Sequence, residues 1–346
     1  YPYLYYYFVA RHLRDNFEDP AKGDDVKTWI TTLAAQVYRE DYANILIFFA
    51  YLSKHPFIID EMLRAAQNIL KDVPLCDLDA DVAFATTVQL VPPTISIDDD
   101  SDTRTARDKH LRAQDGSDEN KARSANSRED RAGIDQILAI NAARKTLDIL
   151  GQIARNFSGS LKADAKTRLT EECYAIGLRT LKVFTIAFQE NQALLREMME
   201  KYFREKEGIK DKDELSKRSA QFIFLLLEFL SFETLKAISN AVGSEELREI
   251  YPRVLKKLRL KSVELTDVTI KMDHFRDLPS KQIIDFYEAN KKNPFLSTLI
   301  RFLVREHFYL FPVKREERNR ICDKLEIRKN NPLMIIDERR KYKPAS

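Results

Sequence analysis

The chain has 346 residues, 44% of them hydrophobic and 32% charged, with a formal net charge of +3. That length leaves room for two domains and that apolar share supplies a core, while so small a net charge does not suggest a polyanion partner. Only 8 glycines occur, too few for the turns of a sheet-rich fold or for phosphate-cradling loops, so the expected class is all-α.

The sequence opens at Tyr1, directly on an aromatic run. Chain ends are ordinarily exposed, so the sequence reads as a piece of a larger protein. From Tyr6 onward Val9, Ala10, Leu13 and Phe17 fall on one helical face, with Leu4 and Phe8 on a second. Asp24 and Asp25 are expected to cap a helix through Leu33 and Val37. Tyr42, Ile45, Leu46, Phe49 and Leu52 stripe the next helix. Pro56 suits a first helical turn, and Ile59, Met62, Leu63, Ala66, Leu70 and Val73 keep the same period. Asp77 and Asp79 mark the start of a helix to about Val91, which Pro92-Pro93 ends.

Between Asp98 and Arg131 the only large aliphatic residue is Leu111. Such a segment buries too little to offset its ordering entropy, so residues 94–131 are expected to form a disordered charged linker, reaching about 30 Å as a flexible coil. Beyond it the helical period resumes at Ile134, Ile137, Leu138, Leu147, Leu150, Ile153 and Phe157, up to a Ser-Gly-Ser break. A long helix or helix pair from Leu169 to Tyr202 follows, then a turn at Gly208. The most apolar stretch, from about Leu215 to Ala241, carries Phe222, Phe224, Leu225, Leu226, Leu227, Phe229 and Leu230 and reads as a central core helix. On that reading Leu226→Ala costs roughly 2–5 kcal/mol. Gly243 is the expected left-handed residue closing it. Val263–Met272 alternates loosely, as a short strand does. Asn293-Pro294 reads as cap and first position of another helix. The expected architecture is therefore two bundle-like helical halves, residues 1–93 and 132–312, joined by the linker and followed by a basic helix and tail over 313–346.

Chemical motifs are few. No two glycines have the spacing of a Walker loop or a dinucleotide fingerprint, and neither HExxH nor GxSxG occurs. The five histidines and three cysteines share no metal-ligand spacing, so no metal or cofactor is expected on this chain. Asp98, Asp99, Asp100 and Asp102 would need Gly at Thr103 and Glu at Lys109 to form a calcium loop, and read as solvated acid. Asp273-His274, with Asp267 nearby, has the makings of a base and its orienter but more often serves as a surface pair. Arg253, Lys256, Lys257, Arg259 and Lys261 form a basic stretch on a helix, and 314–343 forms another diluted by acidic residues; either offers contact with nucleic acid, against the alternative of an ordinary solvated face. Tyr3, Tyr6, Tyr7, Phe8 and Leu13 are expected in core or interdomain packing. No apolar run approaches the ~20 residues of a membrane span, no signal segment is present, and an odd, scattered set of cysteines fits a reducing cytoplasm.

The run Tyr1 to Leu13, with Tyr7, Phe8, Ala10 and Leu13 at its key positions, resembles the stretch that closes the winged-helix part of STAND NTPases, the NACHT-like signalling ATPases. Glu40 to Leu52 and Leu147 to Leu181 look like the helical region that follows the ATPase core in bacterial members. The His and acidic residue usual in the NACHT version fall near Tyr1 and Tyr6, where this chain departs from the pattern. The resemblance implies a non-catalytic regulatory or sensor region whose nucleotide site lies upstream in a parent protein. It implies three kinds of contact: the upstream NTPase domain, a protein trigger as in bacterial antiviral defence, and further copies of the parent. A helical nucleic-acid-binding module is the alternative.

Overall fold

A computed structural model describes residues 2–53, 55–86, 95–98, 103, 105–109, 131–159 and 161–330. The chain is all-α as the composition requires. Thirteen helices are used below: α1 Pro2–Asn16, α2 Gly23–Ala35, α3 Glu40–Ser53, α4 Pro56–Asn68, α5 Arg131–Asn156, α6 Ala163–Glu190, α7 Gln192–Lys206, α8 Lys212–Val242, α9 Tyr251–Leu258, α10 Lys261–His274, α11 Ser280–Asn290, α12 Pro294–Leu310 and α13 Arg315–Lys324. Two three-residue strands, β1 Ser96–Asp98 and β2 Arg328–Asn330, pair in parallel with Ser96 opposite Arg328.

The chain divides into two compact units made of interleaved segments. The first comprises Tyr1–Val82, Asp130–Leu195 and Glu233–Arg276; the second comprises Ala83–Glu129, Arg196–Phe232 and Asp277–Ser346. Neither unit coincides with the consecutive stretches 1–93 and 132–312. Composition marks where a chain turns polar, whereas a compact unit is set by which helices pack, and α7 and α8 each contribute to both units.

In the first unit α1 packs on α3, α2 on α4, and α5 on α6. Leu13, Ile30, Leu46, Met62, Leu150, Cys173 and Ile238 are buried in one continuous core. Two helices are joined there through bare backbone: a Cβ on Gly151 of α5 would stand 2.3 Å from the Ala241 carbonyl oxygen of α8. In the second unit α11 packs on α12 and α13, α12 lies against β1, and Phe224 of α8 meets Phe295 of α12 edge-on at 5.5 Å.

Several local signals are realised. Asn293 accepts hydrogen bonds from the Phe295 and Leu296 amides with Pro294 at the first helical position, and His55 caps α4 ahead of Pro56. Others are corrected. Val263–Met272 lies inside α10, not a strand, because this helix is buried on nearly every side and shows no amphipathic contrast. Its Thr266 and Thr269 hydroxyls bond back to the carbonyls of Ser262 and Leu265. α4 stops at Asn68, short of Val73, and Leu70 takes a left-handed conformation at φ 53°. Asp77 and Asp79 start no α-helix before residue 86: Asp77 Oδ1 accepts from the Asp79 amide and Asp81 Oδ2 from the Asp77 amide, a local turn that competes with helix. α2 begins at Gly23 with Asp24 and Asp25 in its first turn but with no side-chain cap. Of the linker expected over 94–131, most lies outside the described residues; the described pieces are β1 and the helical turn 105–109, where Arg107 stacks over Phe311 at 5.1 Å.

Candidate functional site

The aromatic N-terminus does not form core within this chain. Ala10, Leu13 and Phe17 turn inward, and Tyr7 meets Phe48 edge-on at 6.1 Å. Tyr3, Leu4, Tyr5 and Phe8 are more than half exposed, and Tyr6 is partly buried against the core. Leu13 alone among the five residues expected in packing is fully buried. A helix of fifteen residues thus carries an inward apolar stripe and a second, outward one.

The basic stretch is not a single helical face. Arg253, Lys256 and Lys257 lie on α9, Arg259 sits in a left-handed turn at φ 47°, and Lys261 opens α10. Lys257 pairs with Glu171 at 2.6 Å and Lys261 with Glu264 at 2.9 Å. Arg253, Lys256 and Arg259 are exposed, with no carboxylate partner among the described residues. The second basic stretch forms α13 and β2, and 331–346 lies outside the described residues.

Asp273 and Asp267 are each claimed by a lysine: Lys236 Nζ stands 2.6 Å from Asp273, and Lys271 Nζ 2.7 Å from Asp267. His274 instead presses its ring onto Gly243, where a Cβ would come within 2.1 Å of it. Burial, with Arg155 and Lys236 nearby, lowers the His274 pKa against the opposing pull of Asp273. Beside it the Tyr251 hydroxyl accepts from the Ser244 amide and stands 2.9 Å from the carbonyl oxygens of Val242 and Ser244, tying the end of α8 to α9. These contacts link α8 to α9 and α10. Of the acidic run at Asp98–Asp102, only the backbone of Asp98 falls among the described residues. No group of three or more His, Cys, Asp or Glu among the described residues is placed to hold a metal ion, and no described helix is long and apolar enough to cross a membrane.

The feature that sequence reasoning missed lies on α8. A cavity of about 430 Å³ opens in the second unit between α8, α12 and β1. Leu225, Phe229, Phe232, Phe302 and Tyr309 supply apolar wall, and Glu228, Arg305 and Glu306 are the ionisable residues of the lining. Glu228 is only 1% exposed, and neither of its carboxyl oxygens has a hydrogen-bond partner among the described residues. Burial pushes its pKa well above the usual carboxylate range, and Arg301 only partly opposes this. The Arg301 guanidinium is committed elsewhere, donating to the Ser297 carbonyl at 3.0 Å. The sequence signal was a lone acid inside an apolar helix, which reads equally well as the helix's solvent side. A smaller cavity of about 340 Å³ in the first unit, against Phe48, Tyr51 and Phe157, has no charged lining residue.

Known protein families, curated proteins and solved structures were compared with the chain, and none matches.

Proposed function

We propose that this chain is a non-catalytic, cytoplasmic recognition region: the helical sensor part of a STAND-type signalling NTPase whose nucleotide site lies elsewhere in its parent protein. The observation that carries this reading is the two-faced α1. Its inward Ala10 and Leu13, with Phe17 just past its end, anchor it, while Tyr3, Leu4, Tyr5 and Phe8 offer an outward aromatic surface. Aromatic side chains of this kind dominate interface energetics when covered, and this helix is where the resemblance to the end of a winged-helix part begins. A switch built on such a surface needs a trigger that favours the open state over the closed one by several kcal/mol, about 5.5 for a complete inversion. Three buried cysteines outside any disulfide suit a reducing compartment.

The test is made in the parent protein. The reading requires a Walker A motif upstream of Tyr1; a start codon directly before Tyr1 excludes it. With that in place, Tyr5→Ser combined with Phe8→Ser is expected to leave the melting temperature of the isolated region unchanged. The same pair in the parent should alter trigger-dependent ATP hydrolysis and oligomer formation. Wild-type behaviour of the double variant in both assays removes α1 from the mechanism.

A further inference from the structure

We propose that α7 is a dimerisation helix: its outward face of Leu194, Met198 and Tyr202 packs against the same face of a second copy of this chain, the two helices running antiparallel. The inference draws on α7 alone and holds or falls independently of the signalling role.

Leu194, Met198 and Tyr202 recur at every fourth position of one unbroken helix, Gln192–Lys206. At about 3.6 residues per turn that spacing keeps them in a single stripe, about 12 Å from first to last. All three are more than half exposed. The same helix already has an inward side, where Phe203 is buried and Leu195 and Met199 are half-buried. A surface helix whose apolar side is already covered is ordinarily polar on the rest. Single exposed apolar residues are commonplace, whereas a continuous stripe of them marks an interaction surface.

The charges beside the stripe say what covers it. Glu197 and Lys201 lie on one flank, both exposed and neither with an ion-pair partner among the described residues. Beside Met198 the other flank carries Leu195 and Met199, which are uncharged. In a two-fold pair of antiparallel helices, like flanks face each other. With the axis at Met198, Leu194 meets Tyr202 of the second copy and Met198 meets its own counterpart. Glu197 then stands opposite Lys201 of the second copy, offset by only about 3 Å along the helix, and the contact occurs twice. A parallel pair sets the charged flank against Leu195 and Met199 and leaves both charges unpaired. A foreign surface of one sign satisfies one of the two charges and repels the other. The pattern therefore fits a second copy turned end for end, with the ion pairs setting orientation more than affinity.

The experiment combines sedimentation and cross-linking of the purified chain. Three large side chains make a small interface, so single chains are expected at ~1 µM and a rising share of pairs by ~300 µM. Met198→Glu, at an exposed position, sets two carboxylates face to face and should weaken pairing about tenfold or more, with the melting temperature of the dilute protein unchanged. Glu197→Lys should weaken it severalfold, and adding Lys201→Glu should restore it. Orientation is read from single introduced cysteines, since Cys76, Cys173 and Cys322 are buried. A disulfide needs Cα atoms within about 7 Å. Under mild oxidation Met198→Cys should therefore link two chains, Leu194→Cys and Tyr202→Cys should each fail alone, and an equimolar mixture of those two should link. The proposal is overturned if the chain stays single throughout, if pairing survives Met198→Glu, or if the charge-exchanged double variant pairs no better than Glu197→Lys. It is also overturned if Leu194→Cys and Tyr202→Cys each link as fast alone as Met198→Cys, which marks a parallel pair or random collision.

Discussion

At Gly243 the sequence points to the right residue for the wrong reason. It follows the end of α8, as a closing glycine should, yet among the described residues the glycine that adopts positive φ is Gly208, at 72°. What Gly243 supplies is room: the His274 ring occupies the space a side chain would fill. His274 is buried there, and burial, with Arg155 and Lys236 nearby, lowers its pKa from the usual imidazole value. A base with a depressed folded pKa binds fewer protons folded than unfolded, so its contribution is present above the unfolded value and lost as pH falls. Urea midpoints are therefore expected to drop between pH 7.5 and pH 5.5, and His274→Gln should flatten that part of the profile. An unchanged slope in the variant would assign the acid sensitivity to other groups. Glu228 was equally hard to read, for the opposite reason: the residue is conspicuous, but burial without a partner is a property of neighbours far away in the chain.

Helices whose stripes alternate with polar residues were legible, and those buried all round were not. α4, α12 and the α6–α7 pair follow from spacing and caps, with the pair broken at Asn191, whose side-chain amide bonds to the Ala187 carbonyl. α10 was missed because Ser262, Thr266, Asp267 and Thr269 are as buried as its aliphatic residues, so period gives no contrast. On α8 the apolar run hides its own register. Ile223, Phe224 and Leu227 face inward, while Leu226 is half-buried and Phe222 and Phe229 are exposed. The large core cost therefore belongs to Leu227, not Leu226. Leu227→Ala is expected to destabilise by about 2–5 kcal/mol, and Leu226→Ala by about 1 kcal/mol, in proportion to the smaller area it hides. Chemical denaturation of the two variants checks this, and equal losses would mean the helix is turned differently about its axis.

At the scale of the molecule, the basic stretch from Arg253 to Lys261 is partly paired among the described residues. Pairing of Lys257 with Glu171 and of Lys261 with Glu264 leaves Arg253, Lys256 and Arg259 as the unneutralised part of the basic stretch. Three phosphate contacts would give a log–log salt slope no steeper than about −3. Anisotropy titrations with duplex DNA and single-stranded RNA are expected to show weak, non-specific binding within that limit; a much steeper slope would restore the nucleic-acid reading. The all-α class and the helical density were open to composition and period. The interleaving of the two units, and the short parallel pair of β1 with β2, were not, since three-residue strands carry no period and long-range pairing leaves no local mark.

Cys76, Cys173 and Cys322 are all buried thiols outside any disulfide, and burial pushes the Cys76 thiol up to about 12. Thiolates, not thiols, react with electrophiles, so the native molecule shows an alkylating reagent nothing to attack. Labelling then keeps time with opening, as hydrogen exchange does for amides. Because Cys76 and Cys173 belong to one unit and Cys322 to the other, the order in which the three sulfurs become modified under mild denaturant reports which unit loosens first.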